Sequence, residues 1–447
     1  MAEATAAPLP AGVAARSVAL DLLQAVVRRG EALDDALSAA AGFAQLAVRD
    51  RAFVRLIVAT GLRRLGQIDA LIAHCVPRPL PARAAAAHDA LRLAIAQLLF
   101  LRMPAHAVVD TAVALAAARG AAAQKGLVNA VLRRLTREGD GMVAGQDAPR
   151  LNTPDWLWTA WTTSFGGDTA HAIAAVHLAE PPLDLTCPAD AADWATRLGA
   201  AALPTGTLRL AETAPVESLP GFAEGAWWVQ DAAAALPARI LAAAFPGGIV
   251  GRRIADLCAA PGGKAAQLAA AGARVTAVDR SPARLARVGA NLARLRLAAE
   301  VVTADAAAWT PPEAFDAVLL DAPCSGTGTL RRHPDIARLK RPSDVSRLAG
   351  VQAALLQNAG RMVAPGGVLV YGVCSLQDAE GPDRVAAFLA ANPDFMRDAV
   401  RPDAIGGLAD AVTAQGDVRT LPCHLADRGG LDGFYVARLR RRQRDDG

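Results

Sequence analysis

The sequence predicts a multidomain chain in which an all-α domain is followed by a small α+β lead-in and an α/β domain built on a mostly parallel sheet. Three observations carry this expectation. At 447 residues the chain is long for one core, because single cores stop growing at roughly 250–300 residues. Apolar residues recur at three- and four-residue spacing from about residue 13 to 138, the period of helices with one buried face. From about residue 252 strand-like and helix-like segments alternate. Such alternation predicts parallel strands covered on both faces, with ligands at their carboxyl ends.

The helical domain, 13–138, contains "ARSVALDLLQAVV", "RDRAFVRLIVATGLRRL", "HDALRLAIAQLLFL", "VVDTAVALAAA" and "GLVNAVLRRLTR", punctuated by Pro77, Pro79, Pro81 and Pro104. The polar, glycine-containing run "EGDGMVAGQDAPRLN" reads as a linker over 139–153. The next segment, "TPDWLWTAWTTSFGG", reads as a helix whose Trp156, Trp158 and Trp161 pack against a neighbour. Short strand-like and proline-rich pieces then place the lead-in at 154–235. The α/β domain, 236–442, runs as "RIADLC", a helix from Lys264, "RVTAVD", a helix over 281–297, "AEVVTAD", "FDAVLLDAP", a helix over 349–363, "GGVLVYGVC" and a helix over 378–391.

Composition narrows the function classes. Hydrophobic residues make up 53% and charged residues 20%, with mean hydropathy +0.24, yet no run of eighteen or more apolar residues escapes a charge or a break. No membrane span is expected. The start, "MAEATAAPLPAGVAARSVAL", lacks the basic, apolar and cleavage-site order of a secretory signal. Six cysteines without a CxxC pair indicate neither a zinc site nor a disulfide framework, and predict a reducing cytoplasm and no metal. Net charge is +4, but residues 1–150 hold 18 basic against 12 acidic side chains, while the remainder holds 29 against 31. This excess permits nucleic-acid contact by the helical part. Lys125, Lys264 and Lys340 are the chain's lysines, and alanine is abundant throughout, a compositional bias rather than a functional signal.

Chemistry concentrates at the predicted strand ends. "ADLCAAPGGKAAQLA" is a strand, a turn and a helix start, where Gly262 and Gly263 allow backbone N–H groups close to a ligand. An ordinary strand-to-helix turn would look the same. The spacing is not that of a phosphate-binding GxxxxGK[ST] loop. Asp279 closes the next strand, where a carboxylate can accept from both hydroxyls of a ribose, and Asp305 closes the one after. Either aspartate alone could be a helix cap; three polar strand ends on one edge point to a nucleoside-containing cofactor. Asp321, Pro323 and Cys324 end the next strand and Cys374 ends another. A buried cysteine is usually a small hydrophobe, but two on one sheet edge, one beside a carboxyl group, argue for reactivity.

The set "CAAPGGK", "AVD", "DAPCSGTG" and "YGVCS" resembles the S-adenosylmethionine-dependent RNA (cytosine-5)-methyltransferases, whose domain is Rossmann-like and carries two motif cysteines. The front end, with "DRAFVRLIVATGLRR", "RLAIAQLLFLRMPAHAVVD" and "KGLVNAVLRR", resembles the NusB-like RNA-binding domain fused to the RsmB/Sun/Fmu branch, which methylates 16S ribosomal RNA. The resemblance implies S-adenosyl-L-methionine as cofactor, RNA as partner and a monomer. Transfer RNA as substrate, or a non-catalytic RNA-binding assembly factor, are the competing readings.

Carried over residue by residue, the resemblance makes Cys374 the nucleophile that adds to cytosine C6, Asp321 the group that holds and protonates the ring nitrogen, and Cys324 the residue that assists release. Carbon 5 is too weak a nucleophile unaided, which is why a thiolate must add first. A free thiol has a pKa of about 8.5, so this one needs local help. Cofactor contacts fall on Cys258, Ala259, Ala260, Pro261, Gly262, Gly263, Lys264, Asp279 at the ribose, Arg284, Asp305 near the adenine, and Asp321 near the methyl donor. For RNA, "GTLRRHPDIARLKR" offers Arg331, Arg332, His333, Arg338, Lys340 and Arg341, and the "LVNAVLRRLTR" helix offers Arg133, Arg134 and Arg137. Solvated charged faces would account for the same residues. "GGLDGFYVARLRRRQ" matches the family's closing strand pair, with Asp432 and Gly433 expected at its turn. The chain departs from the family at Val373, where threonine is frequent, and at Thr186, Cys187 and Pro188, which replace an arginine-x-asparagine.

Overall fold

The computed structural model describes residues 12–210 and 215–443, and the chain divides into two compact units. One comprises residues up to Ala179 together with Leu330–Lys340; the other comprises Glu180–Thr329 and the chain from Arg341.

The first unit is helical. Helices Val13–Gln24, Val48–Arg63, Leu65–Cys75, Ala85–Ile95, Ala105–Ala118 and Lys125–Ala144 enclose a core that includes Leu20, Leu23, Ile57, Leu91 and Leu132. The three- and four-residue spacing that predicts these helices is the spacing of this core. Asp89 is fully buried here, but its carboxylate accepts from Arg28, Gln24 and Arg92 at 2.6–3.0 Å, which offsets its desolvation.

The expected linker at 139–153 is corrected. Helix Lys125–Ala144 runs through its first half and helix Ala148–Asn152 occupies the second. The physical reason is a close approach: a Cβ on Gly66 would stand 1.8 Å from the Leu151 carbonyl oxygen. Asn152 accepts from the Gln67 N–H at 3.1 Å and donates to Gln67 Oε1 at 3.0 Å, so this stretch is tied down rather than loose. Helices Asp155–Phe165 and Gly167–Val176 also belong to this unit, not to the lead-in. Trp161 is buried with its ring 5.5 Å from His177, the neighbour packing expected of the tryptophans.

The second unit holds two sheets. The smaller is antiparallel, in the order β2-β3-β1-β4, from β1 (Leu183–Thr186), β2 (Ala201–Ala202), β3 (Leu208–Leu210) and β4 (Trp228–Val229). Asp184 and Arg209 face each other across β1 and β3 and form a buried bidentate pair at 2.7 Å.

The larger sheet contains β5 (Arg253–Leu257), β6 (Arg274–Asp279), β7 (Glu300–Thr303), β8 (Phe315–Asp321), β9 (Val363–Val373), β10 (Phe395–Arg397), β11 (Val418–Thr420) and β12 (Phe434–Arg441). Its order is β10-β12-β9-β8-β5-β6-β7, with β11 pairing β12. The five strands from β7 to β9 are mutually parallel, and β12 joins antiparallel. Alternate residues feed two cores. Ile254, Ala317, Leu319, Val368 and Val370 face one side, while Ala255, Leu257, Val318, Leu320 and Leu369 face the other. Helices Gly263–Ala270 and Pro282–Leu295 cover the first side and Pro342–Met362 and Pro382–Ala391 the second. Asp432 and Gly433 do not form a tight hairpin turn. β11 ends at Thr420 and β12 starts at Phe434, and Asp432 is buried with its carbonyl accepting from Thr420 Oγ1 at 2.8 Å.

Among the described residues no helix is long and apolar enough to cross a membrane.

Candidate active site

Chain order reverses between β5 and β8, and at such a point the loops leaving two adjacent parallel strands diverge and open a crevice. The loop Cys258–Gly262 leaves β5 and the loop from Ala322 leaves β8. Gly262 has φ +102°, and a Cβ there would stand 3.1 Å from Val288, so glycine is what lets this backbone close down on helix Pro282–Leu295. Asp279, at the end of β6, is buried and accepts the N–H of Ala260 at 3.3 Å and of Ser281 at 3.0 Å. Arg284 donates to the Ala260 carbonyl at 2.8 Å and lies 3.4 Å from Asp279. These two side chains brace the loop.

Lys264, in the first turn of helix Gly263–Ala270, donates to Asp321 Oδ2 at 2.7 Å. Burial pulls its ammonium down, but Asp321 and Asp256 outweigh that and hold its pKa above the ordinary value. Asp256, inside β5, is fully buried, and no side chain among the described residues donates to its carboxylate. Burial first, opposed by Lys264, pushes its pKa up to about 7. The folded chain therefore keeps a proton there that the unfolded chain loses near 3.8, so this group's contribution to stability falls as pH rises between those values. Asp256→Asn is expected to remove a slope of up to about 1.4 kcal/mol per pH unit, read by comparing urea midpoints of the two proteins near pH 5 and near pH 7.

Three cysteines gather at this edge. Cys324 Sγ and Cys374 Sγ are 3.4 Å apart, the first on the loop after β8, the second directly after β9. The contact with Cys374, in which either sulfur can donate, and then burial raise the Cys324 thiol well above its usual range, so Cys324 keeps its proton. Cys258 is pushed up to about 12, by burial and then by Asp321, Asp279 and Asp256, which makes it an inert thiol. Cys324 and Cys374 are the two thiols in contact.

A cavity of about 290 Å³ opens at the loop after β5, lined by Pro261, Gly262, Gly263, Lys264 and Asp321. Its opposite wall is Phe222, Trp228, Gln230, Asp231, Asn291 and Arg294. The donor set fits S-adenosylmethionine: carboxylates for its cationic groups, a helix start with Lys264 for its carboxylate, and aromatic surface for its base. Motif spacing did not single out these residues, because they come from the segment around β4 and from helix Pro282–Leu295 and carry no local signature. A larger groove, lined by Arg253 and Arg274, lies at the opposite, amino-terminal ends of β5 and β6, away from this chemistry.

The other sequence-derived candidates fall elsewhere. Asp305 is exposed and accepts the Ala307 N–H at 3.0 Å, the capping geometry weighed as its alternative. Arg331 is corrected as a surface contact. It is fully buried in the helical unit, where its carbonyl accepts from Arg63 at 2.8 Å and the neighbouring Asp335 carboxylate accepts the Leu33 N–H at 3.0 Å. Leu330, Ile336 and Leu339, interleaved with the basic residues, were the signal that this run anchors itself. Arg332 and Lys340 are part-exposed and His333 exposed. Arg133 is exposed with its guanidinium on Asn129 at 3.1 Å, and Arg134 pairs with Glu138 at 2.9 Å.

Residues 250–440 match the model of the family described as 16S rRNA methyltransferase RsmB/F, and residues 13–137 match the NusB family. The chain is 36% identical over 400 residues to the ribosomal RNA small subunit methyltransferase B of Klebsiella pneumoniae, covering 85% of this chain and 90% of that one. Its counterpart in Xanthomonas campestris is 39% identical over 412 residues, covering 88% and 91%. The crystal structure of PH0851 shares the fold, with a TM-score of 0.74 at 21% identity, covering 95% of this chain and 99% of that one.

Proposed function

Because the chain belongs to the RsmB/F family of 16S rRNA methyltransferases, we propose that it methylates carbon 5 of a cytosine in 16S ribosomal RNA through a covalent cysteine adduct. It is an S-adenosylmethionine-dependent methyltransferase. The observation that carries the finer reading is the 3.4 Å separation of Cys324 and Cys374 beside Asp321.

The bound cofactor supplies an electrophilic methyl group. As Cys374 Sγ adds to C6 of the flipped-out cytosine, the proton its thiol gives up passes through Asp321 to the ring nitrogen, so that electron density reaches C5 instead of resting as a full negative charge. Lys264, hydrogen-bonded to Asp321, stabilises the carboxylate that this proton transfer leaves. Once C5 carries the new methyl group, the Cys324 thiol gives its proton to solvent and the thiolate removes the C5 proton; the electron pair restores the ring double bond and expels Cys374 as thiolate, and the ring nitrogen gives its proton back through Asp321. Gly262, Gly263 and Lys264 would hold the amino-acid end of the cofactor and Asp279 its nucleoside end, while the loop braces Arg284 and Asp279 keep Cys258–Pro261 in place. For the RNA backbone, Arg133, Arg134, Arg332, His333 and Lys340 remain the candidates; buried Arg331 does not.

The test is to incubate the protein with unmodified 16S rRNA and methyl-labelled cofactor, digest to nucleosides and map resistant positions by bisulfite sequencing. The expected outcome is label in 5-methylcytidine at a discrete 16S position. Label in transfer RNA alone would overturn the ribosomal assignment, and label in any other nucleoside would overturn the chemistry.

A further inference from the structure

A buried polar cluster lies beneath the two thiols and has no part in the steps above. At its centre is Glu380, which is fully buried in the short turn Asp378–Glu380 after β9. Its Oε1 accepts the Ser325 N–H at 2.8 Å and Gln352 Nε2 at 3.1 Å. Its Oε2 accepts the hydroxyls of Ser325 and Ser375, each at 2.5 Å. Ser325 directly follows Cys324, and Ser375 directly follows Cys374. One carboxylate therefore grips the residue next to each thiol, on loops that leave different strands.

The grip is itself fixed. Gln352 also donates to the Pro323 carbonyl at 2.9 Å, and Thr327 Oγ1 accepts the Leu376 N–H at 3.0 Å, linking the same two loops again. Tyr371 donates its hydroxyl to the Glu380 carbonyl at 2.5 Å, and Arg419 donates to the Ser375 carbonyl at 3.1 Å. A buried carboxylate costs several kcal/mol unless donors replace its water. An apolar side chain of similar volume would fill the space without that cost, so what distinguishes a carboxylate here is that two oxygens can accept from both loops at once. An amide offers a single acceptor atom.

We propose that Glu380 is a positioning residue that fixes the separation of the two thiols by clamping Ser325 and Ser375, and so sets the rate at which the adduct breaks down. The part concerning breakdown rests on the two-thiol reading above; the part concerning separation does not. Misplacing a reacting group by about 1 Å costs on the order of a hundredfold in rate.

Two readouts on Glu380→Gln test this. In turnover with 16S rRNA, kcat is expected to fall about 30- to 100-fold with KM for S-adenosylmethionine within about twofold, and a covalent protein–RNA band is expected to accumulate on a denaturing gel. In the absence of RNA, diamide oxidises Cys324 and Cys374: two thiols give up two protons and two electrons to the azo bond, forming one disulfide and a hydrazine. The rate of that disulfide, counted as its linked peptide by mass spectrometry, is expected to drop about tenfold. This readout needs no methyl transfer, so it separates failure of the clamp from failure of the proposed function. A wild-type disulfide rate in folded Glu380→Gln would overturn the clamp, as would a kcat loss matched by an equal loss of cofactor affinity. Should Glu380→Gln not fold, Ser325→Ala and Ser375→Ala each delete one tether; wild-type disulfide rates in both singles and in the double would overturn it equally.

Discussion

Cys374→Ala is expected to abolish methyl transfer, with a loss of about 10⁴-fold or more, the scale on which removing an attacking group raises a barrier. The loss should fall on kcat, with cofactor affinity retained, because the cavity wall nearest the cofactor is built from Pro261 to Lys264 and Asp321 rather than from Cys374. The expectation follows from position. In the proposed mechanism Cys374, which sits directly after β9 with its sulfur 3.4 Å from that of Cys324, is the attacking thiol. Calorimetry with S-adenosylmethionine and a methylation assay on 16S rRNA check both halves. A fully active Cys374→Ala protein would remove the covalent mechanism.

The α/β unit was legible because its parallel strands are short apolar runs that end in chemically distinctive residues. Leu257, Asp279, Asp321 and Val373 close β5, β6, β8 and β9 as the segmentation implies. The cysteine pair was legible for the same reason, since a strand end on a parallel sheet fixes which edge a residue occupies. Features that depend on distant partners were not. Gly139, Gly141 and Gly145 read as linker composition, but helix Lys125–Ala144 continues through the first two and ends just before the third, because tertiary packing overrides their low propensity. Arg331 read as a surface cation because one-dimensional charge counting ignores that Leu330 and Ile336 carry the same segment into the helical unit. Glu380 gave no signal at all: its meaning lies in Ser325, which is 55 residues away in sequence and 2.5 Å away in space.

Cys324→Ala is expected to do the opposite of Cys374→Ala: to form the covalent bond and fail to release it. The Cys374 sulfur remains, and so does the Lys264–Asp321 pair at 2.7 Å that serves ring protonation, so addition and methyl transfer both proceed. What is lost is the group 3.4 Å from Cys374 that accepts the C5 proton, and without that proton's departure the ring cannot expel the thiolate. On incubation with 16S rRNA and S-adenosylmethionine, a denaturing gel should show a slower protein band that nuclease treatment removes, while steady-state turnover falls by about 10²–10⁴-fold, the usual scale for loss of a proton-transfer group. Adding Cys374→Ala to Cys324→Ala should erase the band, because no sulfur then remains to form the bond. If the single variant is folded, binds cofactor and RNA, and still gives no shifted band, release does not depend on Cys324. Glu380 would then be clamping two thiols for a purpose other than adduct breakdown.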